Sequence, residues 1–280
     1  MRVLAVANQK GGVGKTTTTV NLSAYLALRG FRTLLIDLDP QGNATSSLGI
    51  DKEACDLAIY DILNDTLPLA DAIVPTAQEG LVLVPSTSVL LGSETEAGLT
   101  QVERREHRLA DAIATLPPDS VDLILIDCPP SLGLLTLNAL VASEGVVLPI
   151  QCEFLALEGL VQLSNNIQLV KRTFNERLDV LAVLLTMYDA RTRLSAQVAE
   201  EVRRFFPNRI FATTIPRGIH LAEAPSYGQS ILAYDPQSRG AQAYSAAADE
   251  LIGRLGLIAP RSEQAGVGKW LTRLVANLRE

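Results

Sequence analysis

The stretch Asn8–Thr19, NQKGGVGKTTTT, decides the reading of this chain. It follows an apolar run at Val3–Ala7 and leads into a segment of helical period, the strand–loop–helix setting of a phosphate-binding loop. Counting back from Gly14-Lys15-Thr16, the usual G-x-x-x-x-G-K-[ST] pattern asks for glycine at position 9, where this chain has Gln9. One residue later stands a second lysine, Lys10. Gly11, Gly12 and Gly14 let backbone amides curl close to phosphate oxygens with no Cβ in the way. The helix that follows adds its N-terminal dipole and free N–H groups. In that frame Lys15 reaches the β- and γ-phosphates, and the Thr16 hydroxyl ligates Mg²⁺. Val13 and Thr17 complete the loop's contacts to the nucleotide. A plain glycine-rich turn would not need Gly-Lys-Thr-Thr at this place.

Outward from the loop, short apolar runs alternate with stretches of helical period, which predicts a mostly parallel, twisted sheet flanked by helices on both faces. Strands are expected at Val3–Ala7, Thr33–Asp37, Leu81–Pro85, Val121–Asp127, Gly145–Ile150, Val180–Met187 and Ile210–Ile215. Helices are expected at Lys15–Leu28, Gln101–Thr115, Leu134–Ala142, Ala156–Phe174, Ser195–Phe206 and Ala241–Leu255. Residues 42–79 have weak periodicity. The expected organisation is one domain over residues 1–255 and a tail over 256–280. In that tail Trp270, Leu271, Leu274, Val275 and Leu278 fall on one stripe of a short amphipathic helix.

Two strand ends carry acids. LLIDLDPQGN puts Asp37 at the end of an apolar run and Asp39 just beyond it, and LILIDCPPS puts Asp127 at the end of another. Ligands of open α/β sheets bind at the carboxyl ends of the strands. Asp127 then has the form of a Walker B acid, and Asp39 that of a residue orienting the attacking water. The plainer alternative is that Asp37 and Asp39 start a turn or cap a helix.

Composition narrows the function classes. The chain has 280 residues, 48% hydrophobic and 20% charged, so it can bury a substantial core. No apolar run approaches the roughly 18–20 residues needed to span a bilayer. The opening residues do not form a signal peptide, and a cytoplasmic protein is expected. Cys55, Cys128 and Cys152 are scattered, as buried structural thiols would be, with no CxxC pair. Net charge is −7, with acids crowded between Pro40 and Gly80 and arginines between Met187 and Gly240, so a local basic face remains open.

The segments KGGVGKTTT, LLIDLDPQGNAT, LILIDCPPSLG, LLTMYDART and IPRGIHLAEAPSYGQSILAYDPQSRGAQAY resemble, in order, those of the ParA/Soj chromosome-partitioning ATPases, over residues 1–255. This is the deviant Walker A class. The resemblance implies ATP and Mg²⁺ as cofactors and an ATP-sandwich homodimer in which Lys10 crosses to the nucleotide of the other subunit. It makes Gln9 the family form of the loop, Asp39 the hydrolytic aspartate and Asp127 the Walker B acid. Pro216 falls where relatives contact adenine, and Glu153 where a side chain approaches the nucleotide across the dimer. It further implies nonspecific double-stranded DNA as a partner of the ATP dimer, bound through Arg191, Arg193, Arg217 and Arg239. Some relatives carry a basic residue where this chain has His220. A ParB/Spo0J-type partner would stimulate slow hydrolysis, no membrane partner is expected, and the protein would associate with the nucleoid. The start at the first strand matches the small chromosomal type. Two other readings stay open: a MinD-like membrane-positioning ATPase using the 269–280 helix, and a metal-cluster reductase built around Cys128.

Overall fold

In the computed structural model, residues 1–65, 67–87, 103–153 and 156–258 are described. The amphipathic stripe at 269–280 lies outside them. Seven strands form one sheet: β1 Arg2–Val6, β2 Thr33–Asp37, β3 Val74–Pro75, β4 Leu81–Val84, β5 Leu123–Asp127, β6 Gly145–Gln151 and β7 Asp179–Thr186. Their order is β3-β4-β2-β5-β1-β6-β7, and only the β3–β4 pair is antiparallel. The helices are α1 Lys15–Leu28, α2 Asn43–Ser47, α3 Ile59–Asp65, α4 Arg108–Ala114, α5 Leu134–Ala142, α6 Ala156–Thr173, α7 Arg193–Phe205, α8 Ile219–Glu223, α9 Ile231–Tyr234 and α10 Arg239–Arg254.

The parallel strands read as unbroken apolar runs because both of their faces are covered. Every residue of β2, β4, β5 and β6 is buried. Alternation along β1 sends Leu4 and Val6 to one face, where they pack with Leu22 and Leu26 of α1 and with Tyr244 and Leu251 of α10. Ala5 faces the other side, with Leu109 of α4, Leu135 of α5, Leu163 of α6 and Val202 of α7. A third cluster seats α1 and α2 on β2 and β4 through Val20, Ala24, Leu35, Ala44 and Leu83.

Two expected elements come out differently. Ile210–Ile215 is not a strand; it meets β7 near its two ends, through a bridge at Val183–Ile210, a hydrogen bond from Ile215 N to Leu185 O and, just past β7, a bridge at Tyr188–Pro216. Between those points Glu250 of α10 accepts hydrogen bonds from the backbone N–H groups of Ala212 and Thr213, taking donors a ladder would need. Pro216 has no N–H to offer. The helix expected at Gln101–Thr115 begins only at Arg108, because Arg104 has φ 51° and its segment turns. Gln101 and Val102 lie outside the described residues. The buried Asn138 of α5 holds this entry, accepting from Leu109 N and donating to Arg105 O. Residues 42–79 form short pieces, among them α2, α3 and β3, too brief to leave a period in the sequence.

Candidate nucleotide site

The loop after β1 lies at the carboxyl end of the sheet's central strands. Gly12 and Gly14 adopt φ of 73° and 90°, a region that favours glycine. A Cβ placed on Gly11 or Gly12 would meet no protein atom within 4 Å, so the loop's hollow faces away from the protein. Gly14 is the N-cap of α1 and brings no side chain to cap it, and no acid occupies the first turn. The N–H groups at this helix end are therefore left for an anion. Val13 is buried, and its carbonyl accepts from the Thr186 hydroxyl at 2.8 Å, which ties the loop to β7.

The two lysines of the loop occupy different settings. Lys15 is only 7% exposed, and its Nζ donates to the Lys10 carbonyl at 3.2 Å. Burial lowers its pKa, opposed by the charges of Asp127 and Asp39. The Lys10 ammonium instead reaches outward to Glu153 Oε2 at 3.2 Å. Thr17 lines the adjoining cleft and accepts, through its carbonyl, from Asn21 Nδ2.

Parallel register brings the acids together. Asp37 of β2 lies directly opposite Asp127 of β5, which in turn lies opposite Val6 of β1. Asp127 accepts from the Thr16 hydroxyl at 2.7 Å and from the Thr19 hydroxyl at 3.1 Å. Burial first, then the facing Asp37, raises the Asp127 carboxyl to about 8. Asp37, buried and accepting from Thr45 N and Thr45 Oγ1, is raised to about 7, again mainly by burial. Its bonds to Thr45, in the first turn of α2, fasten that helix to β2 and fit the plainer alternative that Asp37 caps a helix. Asp39 also starts a turn, accepting from Gln41 N at 3.0 Å, yet it stays within electrostatic reach of Lys15 and Asp127.

These residues fit a hydrated magnesium–nucleotide better than a bare metal cage. Among the described residues no group of three or more His, Cys, Asp or Glu side chains is arranged to hold a metal ion. Mg²⁺ usually keeps several waters and takes one or two protein oxygens together with substrate phosphates. Thr16 and Asp127, hydrogen-bonded to each other at 2.7 Å, are the residues that would supply that pair. Beside the loop opens a cleft of about 390 Å³, lined by Gly14, Thr17, Met187, Ile215, Pro216 and Gly218 among others. It is large enough for a small ligand, and it places Pro216 beside the phosphate loop. Met187, at φ 50°, and Thr186 belong to this cleft, and sequence reading missed both. A left-handed methionine leaves no mark in a sequence. Thr19 was visible only as one of four successive threonines.

The arginines are divided. Arg191 makes a two-pronged pair with Asp189, 2.9 and 2.7 Å, which holds that carboxyl down at about 2. Arg217 is exposed, and its charge also acts on Asp189, so these two arginines share one rim. Arg193 and Arg239 are exposed first residues of α7 and α10. His220 pairs with Asp235. Cys128 and Cys152 are buried and Cys55 half-buried; burial raises the Cys128 thiol, and Cys152 to about 11. No helix among the described residues is long and apolar enough to cross a membrane.

Comparison with known proteins follows the same lines. Residues 1–180 match the AAA domain family. The chain is 52% identical over 250 residues to the sporulation initiation inhibitor protein Soj of Bacillus subtilis, covering 89% of this chain and 98% of that protein. It is 48% identical to the chromosome partitioning protein ParA of Caulobacter vibrioides, covering 91% and 95%. Among solved structures it resembles the cobyrinic acid a,c-diamide synthase of Mycobacterium smegmatis with bound ATP analogue and magnesium (40% identity, TM-score 0.79, 91% and 96% covered). With the two-lysine loop, the paired acids and this identity running nearly end to end, the chain belongs to the ParA/Soj family of chromosome-partitioning proteins.

Proposed function

We propose that this protein is an ATP-driven dimer switch: two subunits close on ATP, the closed dimer holds DNA without sequence preference, and partner-stimulated hydrolysis releases it. The observation that carries this reading is the division of labour between the lysines. Lys15 is buried against its own loop, whereas the Lys10 side chain leaves the loop and faces outward. A cation in that position, part-exposed and outside its own phosphate hollow, can be presented to a facing subunit. Residues 1–255 form the ATPase unit in this reading, and 256–280 a tail outside it.

In the closed dimer the loop amides, Lys15 and Thr17 hold the phosphates, and Pro216 lies against the base. Mg²⁺, held by Thr16 and through Asp127, would neutralise charge between the β- and γ-phosphates. Asp39 orients a water for attack on the γ-phosphorus, and the bond to the bridging oxygen breaks. Lys10 of the facing subunit stabilises the charge that develops there. An amide-forming reading, after the Mycobacterium relative, finds no support in the thiols: a nucleophilic cysteine needs a depressed pKa, and Cys128 and Cys152 are shifted the other way.

The test is binding to random duplex DNA with ATP, with ADP, and with liposomes as a control surface. ATP with Mg²⁺ should give binding that weakens steeply with salt, as phosphate contacts do, and ADP should give none. Equal binding in both nucleotides, or none in either, would sink the DNA switch. Removing residues 256–280 should leave DNA binding unchanged; liposome binding lost with the tail would favour the membrane-positioning alternative.

Magnesium affinity should depend on pH. Burial holds protons on Asp37 and Asp127 up to about 7 and about 8. A metal ion favours the deprotonated acids, so magnesium-dependent nucleotide binding should tighten as pH rises from 6 to 8. The limit is about tenfold per pH unit for each proton released, and the gain levels off above that window. Calorimetry in buffers of different ionisation heat reads the released protons directly; no proton release would refute it.

A further inference from the structure

Lys10 already has a partner in its own subunit. Its Nζ lies 3.2 Å from Glu153 Oε2, just beyond the carboxyl end of β6. Glu153 is itself held: Gln151, the last residue of β6, donates its Nε2 to Glu153 Oε1, and Arg217 Nη2 stands 4.0 Å from that same oxygen. The Lys10 backbone is fixed on both sides, its N–H donating to Asn8 Oδ1 and its carbonyl accepting from Lys15 Nζ. Only the side chain is left to move. The pair is part-exposed, 37% for Lys10 and 47% for Glu153, so it can exchange partners without opening the core.

We propose that Glu153 is a positioning residue that holds Lys10 in cis, so that dimerisation exchanges this ion pair for the phosphates of the facing subunit's nucleotide. The proposal rests on Lys10 acting in trans. A ligand shifts such an equilibrium only by its differential interaction with the two states. The γ-phosphate brings charge that a diphosphate lacks, and the contest with one carboxylate turns on that difference. Glu153 thereby sets a threshold, keeping Lys10 from being drawn across by weaker anions. Arg217, a candidate DNA contact, shares the same carboxylate, so the exchange is felt at the rim as well.

Exposed ion pairs are modest, worth up to about fivefold in an equilibrium constant. A symmetric dimer breaks two of them, which allows up to about 25-fold in its dissociation constant.

The test uses E153Q, which removes the charge and keeps an oxygen for Gln151. Two quantities are measured: the dissociation constant of the ATP dimer by sedimentation, and acylation of the Lys10 amine in the absence of nucleotide, read by mass spectrometry. Both should move together. The dimer should tighten by about 2- to 25-fold, an advantage that shrinks as salt screens the wild-type pair, and Lys10 should acylate faster. A weaker dimer would mean that Glu153 serves the interface or the nucleotide, and would overturn the proposal. So would a change in only one quantity, or in neither. A Lys10→Ala control separates the two ideas: ATP dimers persisting in it refute the trans reading, while acylation in E153Q still reports on the cis contact.

Discussion

Replacing Lys10 by alanine should remove the ATP-dependent dimer while leaving nucleotide binding by the single subunit largely intact. The loop does not need this side chain. Its carbonyl is what receives Lys15 Nζ, and its N–H is what binds Asn8; alanine keeps both. What disappears is the only ammonium of the loop that points away from its own phosphate hollow. A cation supplied in trans to a transferring phosphoryl group is worth about 10³–10⁵ in turnover. Stimulated hydrolysis should fall by that order and ATP-dependent DNA binding should vanish with the dimer. Sedimentation with ATP and with ADP checks the first point, and phosphate release the second. A Lys10→Ala protein that still sediments as an ATP dimer would refute the role.

The second large effect is expected at Asp39. Asp39→Ala should slow hydrolysis by about 10²–10⁴, the range typical of a lost proton-handling or water-orienting group. The ATP dimer should instead persist, because Asp39 takes no part in the Thr16–Asp127 hydrogen bond or in the Lys10–Glu153 ion pair. DNA binding in ATP would then resist the stimulating partner. Asp39 also accepts from Gln41 N, so loss of activity in the alanine variant could be blamed on the turn. Asp39→Asn keeps an oxygen for that bond and answers the objection. If the asparagine variant turns over rapidly, Asp39 is a turn residue and another group orients the water.

Legibility differed sharply between elements. The phosphate loop was readable because its function demands particular residue types at fixed spacing, within one continuous segment. Strands β2 and β5 were readable because burial on both faces forces an unbroken apolar run, and α1 and α5 were located to the residue. Ile210–Ile215 misled because its composition suits a strand, while Glu250, from a helix nearly 40 positions later, takes its central N–H groups. The late start of α4 depends on Asn138 in the same way, since a distant side chain replaces the local cap.

The sequence by itself determined the chemistry of the loop, the layered α/β plan and which acids stand at strand ends. Those properties are local, written in residue type and period. Tertiary structure alone decided that β5 lies between β1 and β2, which puts Asp127 beside Asp37, so that burial lifts both carboxyls and the charge of Asp37 lifts Asp127 further. It alone brought Met187 and Pro216 to the mouth of the phosphate loop. It alone showed Lys10 held by Glu153, 143 positions away. Strand order and long-range pairing arise from how separate segments share one core, and no single segment of sequence carries that information.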